Sequence, residues 1–108
     1  MVESSVRIVV ERYLTSLRDQ GFAVERGVVF GSQAKGTAQE TSDIDLLVIS
    51  AAFDGLKSRE TVYSLWRLAR HIDTRIEPIP CGTRQWEEDD SSAIIEIARR
   101  EGEVVGVQ

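Results

Sequence analysis

Apolar positions recur with a helical period at the start of the chain. Val6, Val9, Val10, Tyr13, Leu14 and Leu17 fall on one side, while Arg7, Glu11, Arg12, Arg18 and Asp19 fall on the other. The spacing predicts an amphipathic helix over residues 2–20, stopped by Gly21. The pattern then changes. "AVERGVVF", 23–30, is β-branched and reads as a strand, and a Gly-, Ser-, Thr- and Gln-rich loop, 31–42, follows it. "DIDLLVIS", 43–50, is almost continuously apolar, as expected of a central strand buried on both faces. A turn-bearing connection over 51–60 overlaps the start of a second amphipathic helix, 58–72, with Val62, Leu65, Trp66, Ala69 and Ile72 inward. Residues 73–81 are β-prone, and Pro78 and Pro80 favour a sheet edge. A short helical turn over 83–89 contains Trp86. A helix over 92–100 starts on Ser92 and stops at Gly102, and 103–107 reads as a last strand. The order predicts an α/β (α+β) domain spanning 1–108, with helices packed on a mixed sheet.

The totals narrow the function. A chain of 108 residues suits one domain with one modest core. Its net charge of −5 argues against direct binding to long nucleic acid, which needs a basic surface. One cysteine, Cys81, and one histidine, His71, leave neither an intrachain disulfide nor a usual zinc ligand set. No apolar run approaches the roughly 20 residues of a membrane span, and the first residues lack the cationic and apolar blocks of a signal peptide. A cytoplasmic protein without membrane contact is expected.

The chemistry concentrates in "FGSQAKGTAQETSDIDLLVI", 30–49. Asp43 and Asp45 lie two apart, so on a strand both project to one side, where two ionised carboxylates repel. A hard divalent cation such as Mg²⁺ relieves that repulsion. Gly31 permits a sharp turn and close backbone approach, and Ser32 adds a hydroxyl. If the amides that follow open a short helix, they can donate to phosphate oxygens. Each feature alone has a plain alternative, a turn or a cap. Together they describe a site for a metal-bound nucleoside triphosphate, although the Walker Gly-Lys-Ser/Thr element is absent.

Gly31-Ser32, ten intervening residues and Asp43-Ile44-Asp45 resemble the signature of the DNA polymerase beta nucleotidyltransferase superfamily. The wording, with Ala34 and Gly36 after the Gly-Ser, is most similar to its smallest branch, the minimal nucleotidyltransferases. The resemblance implies a polymerase-beta-like fold and a third carboxylate from a neighbouring strand. Glu77 is the candidate, inside the 73–81 run, and Asp73 at its start is the rival. The usual residue there is Asp, so Glu is a departure. A surface ion pair of Glu77 with Arg75 or Arg84 is the structural alternative. The resemblance further implies two Mg²⁺ ions held by Asp43, Asp45 and Glu77, ATP as substrate, and phosphates held by Gly31 and Ser32.

The same resemblance supplies a biological expectation. Minimal nucleotidyltransferases pair with helical HEPN-type toxins and act as antitoxins, by binding or by transferring AMP to a toxin tyrosine. An acidic domain facing an RNA-cutting partner is electrostatically consistent. A non-catalytic antitoxin and a small-molecule, aminoglycoside-like nucleotidyltransferase are the alternatives, the latter leaving room for a homo-oligomer that builds an acceptor pocket. Trp66 and Trp86 read as core or interface anchors, His71 as a helix-end or surface residue, Cys81 as a small buried hydrophobe, and 87–90 as a solvated acidic face.

Overall fold

The structure is a computed structural model that describes residues 1–55 and 57–107. Leu56, within the predicted connection, and Gln108 lie outside the described residues. Four strands form one sheet in the order β3-β2-β1-β4: β1 Arg26–Phe30, β2 Ile44–Ile49, β3 Ile76–Cys81 and β4 Glu103–Gly106. β1 pairs antiparallel with both β2 and β4, and β2 pairs parallel with β3. The predicted mixed sheet is therefore observed, with β2 inside and the proline-bearing β3 at one edge.

Helix α1, Ser4–Asp19, buries Val6, Val10, Tyr13, Leu14 and Leu17, and Gly21 follows its end with φ +100°. α3, Arg59–Ile72, is capped by Ser58, whose hydroxyl accepts from the Thr61 amide, and buries Leu65 and Ala69. Both helices pack on one face of the sheet, against Val29, Ile44, Leu46 and Val48. Tyr13 ties them together. Its hydroxyl donates to the Leu65 carbonyl at 2.8 Å, and burial pushes the phenol pKa far up. Each fully buried Leu or Ile here contributes about 1.5–3 kcal/mol.

The opposite face carries Val28, Phe30, Leu47, Ile49 and Cys81, covered by Ile95 and Ala98 of α5, Ala93–Glu101. α4, Thr83–Glu88, packs at the far end of β2, against a 3₁₀ turn at Ala51–Phe53. Its first amides, those of Arg84 and Gln85, donate to the Asp54 carboxylate. This leaves the start of β2 uncovered on the α5 side, and the acids stand there.

Several details depart from the sequence reading. The loop after β1 is not all loop, because α2, Ser32–Lys35, occupies its first turn between Gly31 and Gly36. Arg7 is not a free outer residue but pairs with Glu103 at the start of β4. In the 87–90 run, Glu87, Glu88 and Asp90 are solvated, but Asp89 accepts from the Ser91 and Ser92 amides. Trp86 is half-buried and packs beside the core under α5, while Trp66 is half-buried outside both core clusters; His71 is exposed at the end of α3 and Cys81 is buried, as expected.

Candidate active site

Register builds the site. Asp45 is the direct cross-strand partner of Glu77, and Ile44 that of Ile76. Carrying the pairing one step back places Asp43 opposite Arg75, where the Ile44 amide donates to the Arg75 carbonyl at 2.7 Å. Side chains two apart share a face. Asp45 and Glu77 therefore project from the α5 side, at the open end of that face. Asp43 is exposed, and Asp45 and Glu77 are half-buried.

The carboxylates sense one another. Burial pushes the Glu77 carboxyl above its ordinary range. The charge of Asp43 adds to this, as do a side-chain hydrogen bond with Asp45 and the charge of Asp45. The rival, Asp73, is committed elsewhere. It caps the end of α3 and forms a fork with Arg75, with Oδ1 to Nε at 3.0 Å and Oδ2 to Nη2 at 2.9 Å. That guanidinium holds the Asp73 carboxyl below its usual range, against the opposing effect of burial. Arg84 pairs with Glu88. Both arginines that could have neutralised Glu77 thus have other acids as partners, and Glu77 faces only carboxylates among the groups that shift it.

Gly31 closes the arrangement from the β1 side. Its φ of +73° and ψ of −149° fall in a region that is essentially glycine-only. A Cβ there would stand 2.3 Å from Asp45 Oδ2. The bare Cα therefore lets the turn lie directly against the carboxylate. Ser32 opens α2, so the amides after Gly31 do form the short helical turn that phosphate binding would use.

One residue was not foreseen. The Gln33 side chain is 5% exposed, and its amide donates to the Ser42 and Asp43 carbonyls, both at 3.3 Å. Gln33 thus ties the Gly-Ser turn to the segment that presents Asp43. Only its place directly after the Gly-Ser pair hinted at this. A cavity of about 350 Å³ beside it is lined by Gln33, Gly36, Gln39, Glu40 and Arg75. It opens on the connecting loop and not on the acids, so the chemistry is read from the carboxylates.

All donors in the set are hard oxygens, which suits Mg²⁺. Burial first, and then the charges of Asp43 and Asp45, disfavour ionised Glu77, and a cation would relieve the part owed to those charges. Among the described residues, no three His, Cys, Asp or Glu side chains converge into a finished metal cluster. The acids share one sheet face but are not closed around a point.

Comparison with known proteins identifies the family and the fold. Residues 10–101 match the family described as nucleotidyltransferase domain. A search of curated proteins gave no match. Among solved structures, a toxin–antitoxin with AMP-PNP is 20% identical with a TM-score of 0.61, over 91% of this chain and 73% of that one. A variant of the toxin–antitoxin MntA–HpeT is 18% identical with a TM-score of 0.58, over 100% and 75%. A tri-AMPylated HEPN toxin in complex with MNT antitoxin, from Shewanella oneidensis, is 16% identical with a TM-score of 0.56, over 94% and 73%. At these identities the likeness is one of fold. Among the described residues no helix is long and apolar enough to cross a membrane.

Proposed function

Because the chain belongs to the nucleotidyltransferase domain family, we propose that it is an antitoxin that transfers AMP from ATP to a tyrosine of a helical HEPN-type toxin. The observation that carries this reading is the register of Asp45 with Glu77, beside a Gly31 whose bare Cα abuts Asp45. The fold neighbours solved as toxin–antitoxin complexes, one with an AMPylated toxin, support the choice of partner.

Asp43, Asp45 and Glu77 would hold Mg²⁺, as two ions by family resemblance. When bound, the metal supplies charge neutralisation and acidifies the attacking hydroxyl. The chain's own groups do the positioning. Gly31 admits the phosphates to the backbone, and Ser32 with the α2 amides donates to their oxygens. Gln33 holds this turn against the Asp43 segment. Asp43 is exposed two residues before Asp45, which stands directly opposite Glu77. The tyrosine hydroxyl gives up its proton to water, its oxygen forms a bond to the α-phosphorus, the bond from that phosphorus to the α–β bridging oxygen breaks, and pyrophosphate leaves. Aimed charges, not a covalent intermediate, supply the rate.

Intact-mass measurement of the toxin incubated with this protein, ATP and MgCl₂ tests the reading. One AMP is gained on a tyrosine, and Asp43→Ala and Asp45→Ala each abolish the gain. An unchanged toxin mass with metal and triphosphate present overturns the transferase reading. The open ligand set and the Glu at 77 favour a second one, neutralisation by binding alone. In that case Asp43→Ala still silences the toxin.

A further inference from the structure

The outer face of α3 differs from the rest of the surface. Arg59, Tyr63, Arg67 and Arg70 lie along it at helical spacing, all exposed, with Glu60 and His71 beside them. Tyr63 is 65% exposed, and the Arg67 guanidinium lies over its ring at 5.9 Å from the centroid. Four other arginines pair with acids, Arg7 with Glu103, Arg75 with Asp73, Arg84 with Glu88 and Arg100 with Glu96, and Arg18 and Arg99 donate to backbone carbonyls; no other described helix face gathers three arginines. Among the described residues, the three on this face make no ion pair. A protein of net charge −5 thus keeps three uncompensated cations on one helix.

The face is also shaped. A depression of about 480 Å³ lies where α3 meets the chain after α1, lined by Gln20, Phe22, Ser64, Arg67, Leu68 and His71. Phe22 and Leu68 are half-buried and pack on the core, giving it an apolar floor. Arg67 also lines a neighbouring hollow of about 550 Å³ with Arg59, Glu60 and Tyr63. Tyrosine and arginine are the side chains that most often anchor protein interfaces.

We infer that this face docks an acidic segment of a partner protein, with carboxylates on Arg59, Arg67 and Arg70 and an apolar side chain over Phe22 and Leu68. Charge complementarity selects the occupant. A nucleic acid is disfavoured because three arginines interrupted by Glu60 give few phosphate contacts, and the net charge repels a polyanion. α3 packs on the sheet face opposite the one bearing Leu47 and Ile49, whose pleat Asp45 shares. A partner held here leaves the acids uncovered.

The probe is a fluorescein-labelled amphipathic helical peptide of glutamate and leucine, titrated without metal or nucleotide, with amide NMR shifts mapping its site. The expected result is shifts confined to α3 and residues 20–22, affinity that falls with salt, and a loss of about 10–100-fold in Arg67→Glu. Arg67→Gln gives an intermediate loss, and unchanged melting curves show that both variants fold. Asp43→Ala binds as the parent does, so the outcome is independent of nucleotidyl transfer. Shifts elsewhere, no binding, equal binding of a lysine–leucine peptide, unchanged affinity in Arg67→Glu, or tighter binding of oligouridylate to these arginines overturns the inference.

Discussion

Replacing Gly31 by alanine tests whether the turn and the carboxylate form one unit. The substitution imposes two costs. The first is conformational, since φ +73°, ψ −149° is a region that non-glycine residues enter only at about 1–3 kcal/mol. The second is steric and belongs to Asp45. The new Cβ would meet Oδ2 at 2.3 Å and Cγ at 3.3 Å, but the Asp45 Cβ only at 3.6 Å, an ordinary contact. Asp45 must leave its rotamer, which costs about 0.5–1.5 kcal/mol. In the parent background Gly31→Ala therefore loses about 2–3 kcal/mol, or about 10 °C in Tm for a domain of this size. In an Asp45→Ala background the steric part vanishes and only the conformational part remains. Chemical denaturation of the four proteins in EDTA closes the cycle, with an expected coupling of about 1 kcal/mol. Gly36→Ala serves as control. Its φ is also positive, +75°, but its nearest atom is Met1 N at 3.9 Å, so it costs about 1–2 kcal/mol whatever stands at 45. Costs of Gly31→Ala that agree in both backgrounds within about 0.3–0.5 kcal/mol would refute the argument.

Other consequences are more compact. Glu77 binds its proton more tightly folded than unfolded, so its ionised form costs stability above the folded pKa. Glu77→Gln should therefore melt higher than the parent in metal-free buffer at pH 7, the advantage fading as pH falls through the ordinary glutamate range; a gain that grows on acidification contradicts the site. Asp73 is shifted the other way by Arg75, so its contribution is present above the unfolded value of 3.8 and disappears as pH falls below it. Asp73→Asn should cost about 1 kcal/mol at pH 7 in urea denaturation and progressively less as pH falls below 3.8. Burial, the largest of several influences, pushes the Cys81 thiol up to about 11, so native protein at pH 8 should resist iodoacetamide that labels the urea-unfolded chain.

The sequence was most informative where periodicity was long. α1 places its predicted apolar residues at or beside the core, α3 does so with Leu65, Ala69 and Ile72, and β2 is buried on both faces as its apolar run implied. Four residues cannot display a period, so the short helix that the Gly-Ser pair made conceivable has bounds, Ser32–Lys35 between Gly31 and Gly36, that only the fold defines. The pairing of Arg7 with Glu103 joins residues 96 positions apart, beyond any local pattern. Which of Asp73 and Glu77 stands beside Asp45 depended on the register between β2 and β3 and on Arg75 turning back to Asp73. Gln33 is a polar residue spent on two carbonyls of the acid-bearing segment, and a buried amide looks the same in sequence as a solvated one.

The register is itself written in β3. The Ile44 amide donates to the Arg75 carbonyl and the Ser50 amide to the Cys81 carbonyl. In a parallel ladder such bonds fall on alternate residues, so 75, 77, 79 and 81 turn their backbone groups toward β2. Residues 76, 78 and 80 turn theirs outward. Pro78 and Pro80 stand at outward positions, where a missing N–H loses no ladder bond and blunts an otherwise open edge. A slip by one residue would bring both prolines to positions that must donate, and would turn Glu77 to the α3 face, away from Asp45. The prolines that mark β3 as an edge therefore also hold its glutamate opposite the aspartate.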